Sequence, residues 1–112
     1  MTDMKRKTIT DGLTVSGQLR PEDLGELMAC GVTTIVNNRP DKEEAEQPLS
    51  ADLHRAARDL GLDYHHIPVT PGAPDPSDGQ RMAQIVAEAK GNVHAFCRTG
   101  NRSSQLFALG QG

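Results

Sequence analysis

The chain has 112 residues, 36% of them hydrophobic and only 3% aromatic with no Trp, which predicts one small domain over residues 1–112 with a core of Val, Ile, Leu, Met and Ala. A formal net charge of −3 supplies no basic field and argues against nucleic acid as the main partner. Residues 1–20 hold no apolar h-region and no stretch approaches the length of a membrane span, so the expectation is a reduced cytoplasmic protein with free thiols and no membrane association.

From the start of the chain, Met1 to Thr10 is polar, with Lys5, Arg6 and Lys7, and reads as a solvated arm or a short leading strand. Leu13 to Gly17 has strand chemistry, and Gly17-Gln18 turns the chain. Pro21 fits the first turn of a helix, with Glu22 and Asp23 favourable at its positive end and Leu24, Leu27 and Met28 on one face, stopping at Gly31. The β-branched run Val32 to Asn37 suits a buried strand. It empties into the polar turn Asn38 to Glu44, where Pro40 bars continuation of the strand. Ser50 is the predicted N-cap of a helix carrying Leu53, Ala56, Ala57 and Leu60, closed by Gly61. Leu62 to Val69 is the next strand, and Thr70 to Gly79 is the clearest loop. Ser77 and Gln80 form a capping box for a helix bearing Met82, Ile85, Val86 and Ala89, ended by Gly91. Val93 to Phe96 is a last short strand, and a helix opens after Arg102.

Helices that stop at Gly31, Gly61 and Gly91, each followed by a strand, make a repeated helix-then-strand unit without side-chain repetition. That alternation predicts an α/β fold with a mainly parallel central sheet flanked by helices. Ligands in such sheets bind beyond the carboxyl ends of the strands. That rim collects Gln18, Asn38, Arg39, the Pro71–Gly79 loop and the loop that starts at Cys97.

The last of these carries the chemistry. Cys97-Arg98-Thr99-Gly100-Asn101-Arg102-Ser103 lies between a strand and a helix, a setting that turns backbone N–H groups inward and adds the positive helix end. Gly100 and Asn101 tolerate the positive φ that an anion-cradling nest requires. A cysteine at its rim should ionise easily, and Arg102 offers a planar fork to two oxygens of a tetrahedral anion. The plainer reading is a buried structural cysteine, which is the expectation for Cys30. No metal set is expected, since the four histidines and two cysteines show no ligand spacing.

Protein tyrosine and dual-specificity phosphatases carry His-Cys, five residues, then Arg and Ser or Thr. Here Phe96 replaces the His and only four residues separate Cys97 from Arg102, so the loop resembles that of rhodanese-type sulfurtransferases in length and keeps the phosphatase-like Arg-Ser ending. Val15-Ser16-Gly17-Gln18, Asn37-Asn38-Arg39-Pro40-Asp41 with Glu43, Glu44 and Gln47-Pro48, then Tyr64-x-x-Ile67-Pro68-Val69, and the cysteine loop occur in order. Together, over roughly Leu13 to Leu109, they resemble the small bacterial phosphatase-like family labelled phosphatase or sulfur transferase, the phosphatase-like domain of beta-lactamase-hydrolase-like proteins. Its members occur alone or fused to a metallo-β-lactamase-type persulfide dioxygenase. The resemblance implies a dual-specificity-phosphatase-like fold with a Cys-x4-Arg loop between the last strand and helix. It also implies Cys97 as nucleophile, the Arg98–Arg102 amides with Arg102 as anion site, and a persulfide dioxygenase as a candidate partner.

Phosphate ester hydrolysis by a thiolate needs a general acid for the leaving oxygen. Dual-specificity phosphatases place an Asp just after the strand that ends here at Val69, where this chain has Thr70 and Pro71. Asp75 is the candidate acid, with Asp78 beside it; the alternative is that both are turn and cap residues. His65 and His66, being adjacent, point to opposite faces of an extended strand, and His94 faces away from Cys97. Sulfur transfer asks less, because sulfite or a thiolate leaves without a proton. Arg98 attracts anionic donors or is simply solvated. Arg39 supports the loop through its carbonyls, the favoured role, or pairs with Glu43 or Glu44. Ser103 hydrogen-bonds the thiolate or caps the helix. The leading expectation is a cofactor-free sulfurtransferase that takes thiosulfate or a persulfide through a Cys97 persulfide. One alternative is a hydrolase of phosphate monoesters working through a phosphocysteine. The other is a non-catalytic anion- or persulfide-binding module that docks on a partner enzyme.

Overall fold

The computed structural model describes residues 6–111, so Lys5 of the basic arm lies outside the described residues. Lys7–Thr10 forms β1, an edge strand antiparallel to β2 (Leu13–Ser16). β3 (Val32–Asn37), β4 (Asp63–His66) and β5 (Asn92–Phe96) run parallel to β2, in the sheet order β1-β2-β5-β3-β4. The last strand in the chain is thus the central one. The predicted α/β class and mainly parallel sheet are what the structure has. No described helix is long and apolar enough to cross a membrane.

Burial on both faces follows from the strand period. In β3, Ile35 and Val36 are each 0% exposed yet point to opposite faces. On one face Val36, Val15, Val93 and Ala95 meet Met82 of α3 (Pro76–Glu88) and Leu106 of α4 (Asn101–Gln111). On the other, Ile35 and Phe96 meet Leu24 and Leu27 of α1 (Leu24–Ala29) and Leu53 and Ala57 of α2 (Ser50–Asp59). Each such large side chain, fully buried, contributes roughly 1.5–3 kcal/mol relative to leaving it in water.

Several element ends differ from the sequence expectation, each for a local reason. The first helix starts as a tight turn at Pro21–Asp23, and Met28 is 42% exposed because Leu24 and Leu27 already fill the contact with the sheet. The third parallel strand is short because Pro68 has no N–H to give the ladder. Ile67 and Val69 still donate to the Asn37 and Asn38 carbonyls at 2.8 and 3.0 Å, which carries the chain to the rim. Ser50 is the first residue of α2 rather than its cap: its N–H donates to the Asp41 carboxylate at 2.8 Å, and its hydroxyl pairs with Tyr64. The third helix ends at Glu88, with Ala89 already extended, and Gly91 serves packing instead, since a Cβ there would lie 2.6 Å from Thr33 Cγ2. α3 and α4 cross closely at Gly79, where a Cβ would meet the Gly110 nitrogen at 2.9 Å. That crossing fixes α4, and with it the loop leading into α4.

Candidate active site

β5 ends at the centre of the sheet, and both neighbours hold its end. The Cys97 N–H donates to the Ser16 carbonyl at 3.3 Å, and the Phe96 carbonyl accepts from the Asn38 N–H at 2.8 Å. The chain then turns through Gly100 at φ +95°, a conformation a side chain would strain, and α4 opens as the Ser104 N–H reaches the Gly100 carbonyl at 3.1 Å. β2 supplies the floor of this loop. A Cβ on Gly17 would stand 2.8 Å from the Arg98 carbonyl oxygen, so only glycine permits that approach. Beside it, the Ser16 hydroxyl donates to the Gly17 carbonyl at 2.9 Å and accepts from His94 Nε2 at 2.8 Å, while Thr14 Oγ1 pairs with His94 Nδ1 at 2.7 Å. With the Ser16 proton given to Gly17, His94 carries its proton on Nε2. His94 is therefore structural, as expected, and burial, with a smaller contribution from Arg6, holds its pKa down at about 4.

Cys97 is fully buried. Burial pushes its thiol up, but the N–H groups of Ser103, Thr99, Gly100 and Arg102 more than offset this, and the net shift is downward. Among these, the Gly100 N–H donates to Sγ at 3.0 Å. The nest differs in detail from the expected Arg98–Arg102 run: Ser103 contributes, and the Asn101 N–H turns instead to Thr99 Oγ1 at 3.4 Å. The Ser103 hydroxyl is buried and without a hydrogen-bond partner among the described residues.

Arg102 is oriented by Glu43, which the sequence offers only as an alternative partner for Arg39. The Arg102 Nη1 and Nη2 each donate to the Glu43 carboxylate at 2.8 Å, and Nη1 also donates to the Val69 carbonyl at 3.0 Å. Of the five guanidinium N–H groups, these three bonds leave Nε–H and one Nη2–H for an anion. Glu43 and the nearby Cys97 sulfur both raise the Arg102 pKa, Glu43 more strongly, and burial partly opposes them. Glu43 itself is pulled down to about 2, chiefly by the Arg102 hydrogen bonds, against burial and with help from Arg39.

Arg39 does not support the loop through its carbonyls. With each guanidinium nitrogen engaged and the side chain 3% exposed, it donates to Glu43 at 2.8 Å, to Glu44 at 2.7 Å and to Gln18 at 2.9 Å. Its contribution reaches the site through Glu43. The reason is local: Lys42 at φ +67° reverses the chain, which returns the next two carboxylates to Arg39. The signal available beforehand was the acid pair Glu43-Glu44 at four and five residues after Arg39 in a turn sharing the rim.

Arg39, Glu43, Glu44, Pro71, Arg98 and Arg102 line a cleft of about 270 Å³ at the mouth. Asp75, the candidate general acid, is not part of it. Its carboxylate is the N-cap of α3, accepting from Ser77 N–H and Ser77 Oγ at 2.9 Å each, and these bonds lower its pKa in full solvent exposure. It replaces the capping box expected from Ser77 and Gln80, because Pro76 occupies the first helical position. His66 bonds the Arg39 carbonyl at 2.9 Å, burial and then Arg81 lower the His65 pKa, and neither residue lines the mouth.

A central parallel sheet whose middle strand ends in a cysteine, followed by an arginine-closed anion loop and a helix, defines the tyrosine and dual-specificity phosphatase class of α/β fold. Among solved structures, a candidate phosphatase from Neisseria meningitidis superposes with a TM-score of 0.82 at 35% identity, over 89% of this chain and 71% of that one. A candidate phosphatase from Shewanella putrefaciens reaches 0.79 at 23% identity over 95% and 69%, and P. aeruginosa TpbA 0.66 at 20% over 96% and 63%; these two show the fold alone. Over residues 5–112 the sequence matches the family described as Beta-lactamase hydrolase-like protein, phosphatase-like domain, and the chain belongs to that family. Its relatives include the Beta-lactamase hydrolase-like proteins of Agrobacterium fabrum, 39% identical over 108 residues, and Xylella fastidiosa (strain Temecula1), 33% identical over 108 residues. The match spans 96% of this chain but only 25% of either relative's length.

Proposed function

We propose that this domain is a cysteine-dependent phosphohydrolase that acts on a small phosphate-bearing substrate through a phosphocysteine at Cys97. The observation that carries this reading is the convergence of loop N–H groups and the Glu43-oriented Arg102 on a buried thiol of lowered pKa. The alternative drawn from the sequence thus displaces sulfur transfer as the leading reading, in keeping with the family and its phosphatase-like neighbours. In the first step the Cys97 thiolate attacks phosphorus. The S–P bond forms as the P–O bond breaks, and the leaving oxygen departs with the electron pair. Arg102 and the loop amides hold the equatorial oxygens. Water then attacks the phosphocysteine, the S–P bond breaks, and orthophosphate is released. The unpartnered Ser103 hydroxyl is a donor free to take up the charge returning to sulfur. The test is Cys97-dependent release of orthophosphate from p-nitrophenyl phosphate, with a phosphoryl adduct on Cys97 in quenched intact protein. Cys97→Ser should abolish both. No orthophosphate from any substrate, with a stable gain of one sulfur from thiosulfate, would overturn it.

Sulfur transfer is the second reading. It is favoured by the four-residue spacing from Cys97 to Arg102 and by Thr70-Pro71 standing where a general acid would be. A persulfide dioxygenase as partner belongs to this reading only.

A further inference from the structure

This inference rests on the phosphohydrolase reading and names its substrate. Among the described residues, no carboxyl group at the mouth is placed to donate a proton. Glu43 takes both terminal nitrogens of Arg102 and Nε of Arg39 and is held ionised. The Glu44 Oε1 is engaged by Arg39 at 2.7 Å and Arg98 at 3.4 Å. Pro71 lines the cleft where the acid would stand, and Asp75 caps a helix. This arrangement favours a leaving group that departs as an anion.

The surroundings suit that departure. Arg98 is 67% exposed and lines both the mouth and an adjoining cleft of about 310 Å³. The second cleft is polar, walled by Gln18, Arg20, Gln47 and Glu46 as well as Arg98. Arg20 has no carboxylate partner for its guanidinium among the described residues. The Arg98–Glu44 pair is long and exposed, so a ligand anion exchanges for Glu44 at small cost. No aromatic side chain among the described residues lines either cleft. The single Tyr64 is tied to Asn37 and Ser50 and stacked on His54.

We infer that the substrates are phosphoric anhydrides, acyl phosphates foremost, and that Arg98 stabilises the departing carboxylate in place of a proton donor. A carboxylate leaves readily because its conjugate acid has a pKa of about 4, against about 10 for a tyrosine phenol. The Cys97 thiolate displaces it from phosphorus, the P–O pair leaves with the carboxylate, and no proton moves in that step. Water then releases orthophosphate from the phosphocysteine.

The experiment compares acetyl phosphate, phosphotyrosine and a series of aryl phosphates of graded leaving-group pKa in the wild type, Arg98→Gln and Arg98→Lys. Acetyl phosphate should exceed phosphotyrosine in kcat/KM by about a hundredfold or more. Arg98→Gln should cost about tenfold or more on acetyl phosphate and steepen the fall of kcat with leaving-group pKa, and Arg98→Lys should restore part of the loss. A merely structural role for Arg98 would lower every substrate by the same factor. That uniform loss, no loss at all, or phosphotyrosine matching acetyl phosphate would each overturn the inference, while Cys97-dependent p-nitrophenyl phosphate hydrolysis would leave the phosphohydrolase reading standing. Absence of hydrolysis with every substrate would remove both.

Discussion

Glu43→Gln probes the arrangement most directly. A carboxyl held at about 2 instead of 4.5 would be favoured in its charged form by about 3 kcal/mol if solvent were excluded. The Glu43 side chain is 21% exposed at the lip of an open cleft, so screening reduces this to about 1–2 kcal/mol. Glutamine keeps one acceptor but turns an NH2 toward two guanidinium groups, so urea denaturation at neutral pH should show a loss of that size. Because the folded pKa is depressed, the contribution is complete above pH 4.5 and vanishes as pH falls toward 2. The wild-type and variant curves should converge across that window. Arg102 loses its main orienting contact, so inhibition by orthophosphate should weaken by about tenfold. In this arrangement Glu43 takes the Nη1/Nη2 edge of Arg102 and leaves the Nε side to the anion. Tighter orthophosphate inhibition in the variant would refute this assignment, because Glu43 would then be a competitor for Arg102.

Four further outcomes are expected. The Cys97 thiol should react with iodoacetamide with a midpoint below 9.0, since its pKa is lowered by the loop amides against burial; a midpoint at or above that value would sink the nucleophile assignment. Arg102→Lys should stay folded yet lose most turnover on p-nitrophenyl phosphate, because an ammonium cannot both meet Glu43 at two oxygens and hold two oxygens of the substrate. His94 is buried as the neutral imidazole with a pKa of about 4 rather than 6.5, so below 6.5 the unfolded chain binds a proton that the folded one refuses. Stability should fall by up to roughly 3 kcal/mol as pH drops from 6.5 to 4, and His94→Gln should flatten that slope in urea melts. Asp75→Asn should leave hydrolysis of an alkyl phosphate within a few-fold of wild type; a loss of about a hundredfold would restore Asp75 as general acid.

What the amino-acid order determined by itself was whatever short-range chemistry decides. The β-branched run Val32–Asn37 is a strand with the bounds its composition implies, and Gly31 and Gly61 take the left-handed conformations that end their helices. The apolar-turn-helix order around Cys97 placed a depressed thiol in a nest without reference to the rest of the chain, because the N–H groups that matter lie within six residues of the sulfur. Tertiary structure decided the partners. Glu43 meets Arg102 across 59 residues of sequence, and nothing local to either distinguishes that pairing from Arg39 with Glu43 alone. The Asp41 cap on Ser50, the glycine demanded at 17 by the Arg98 carbonyl and the withdrawal of Asp75 from the mouth are of the same kind. Each depends on which elements the sheet order brings together, and β5 reaches its central place between β2 and β3 only after every other strand has been laid down in the sequence. Side-chain periodicity tells a residue which face it occupies; which distant charge shares that face is set by strand order and helix packing, where distance in space is uncoupled from distance along the chain.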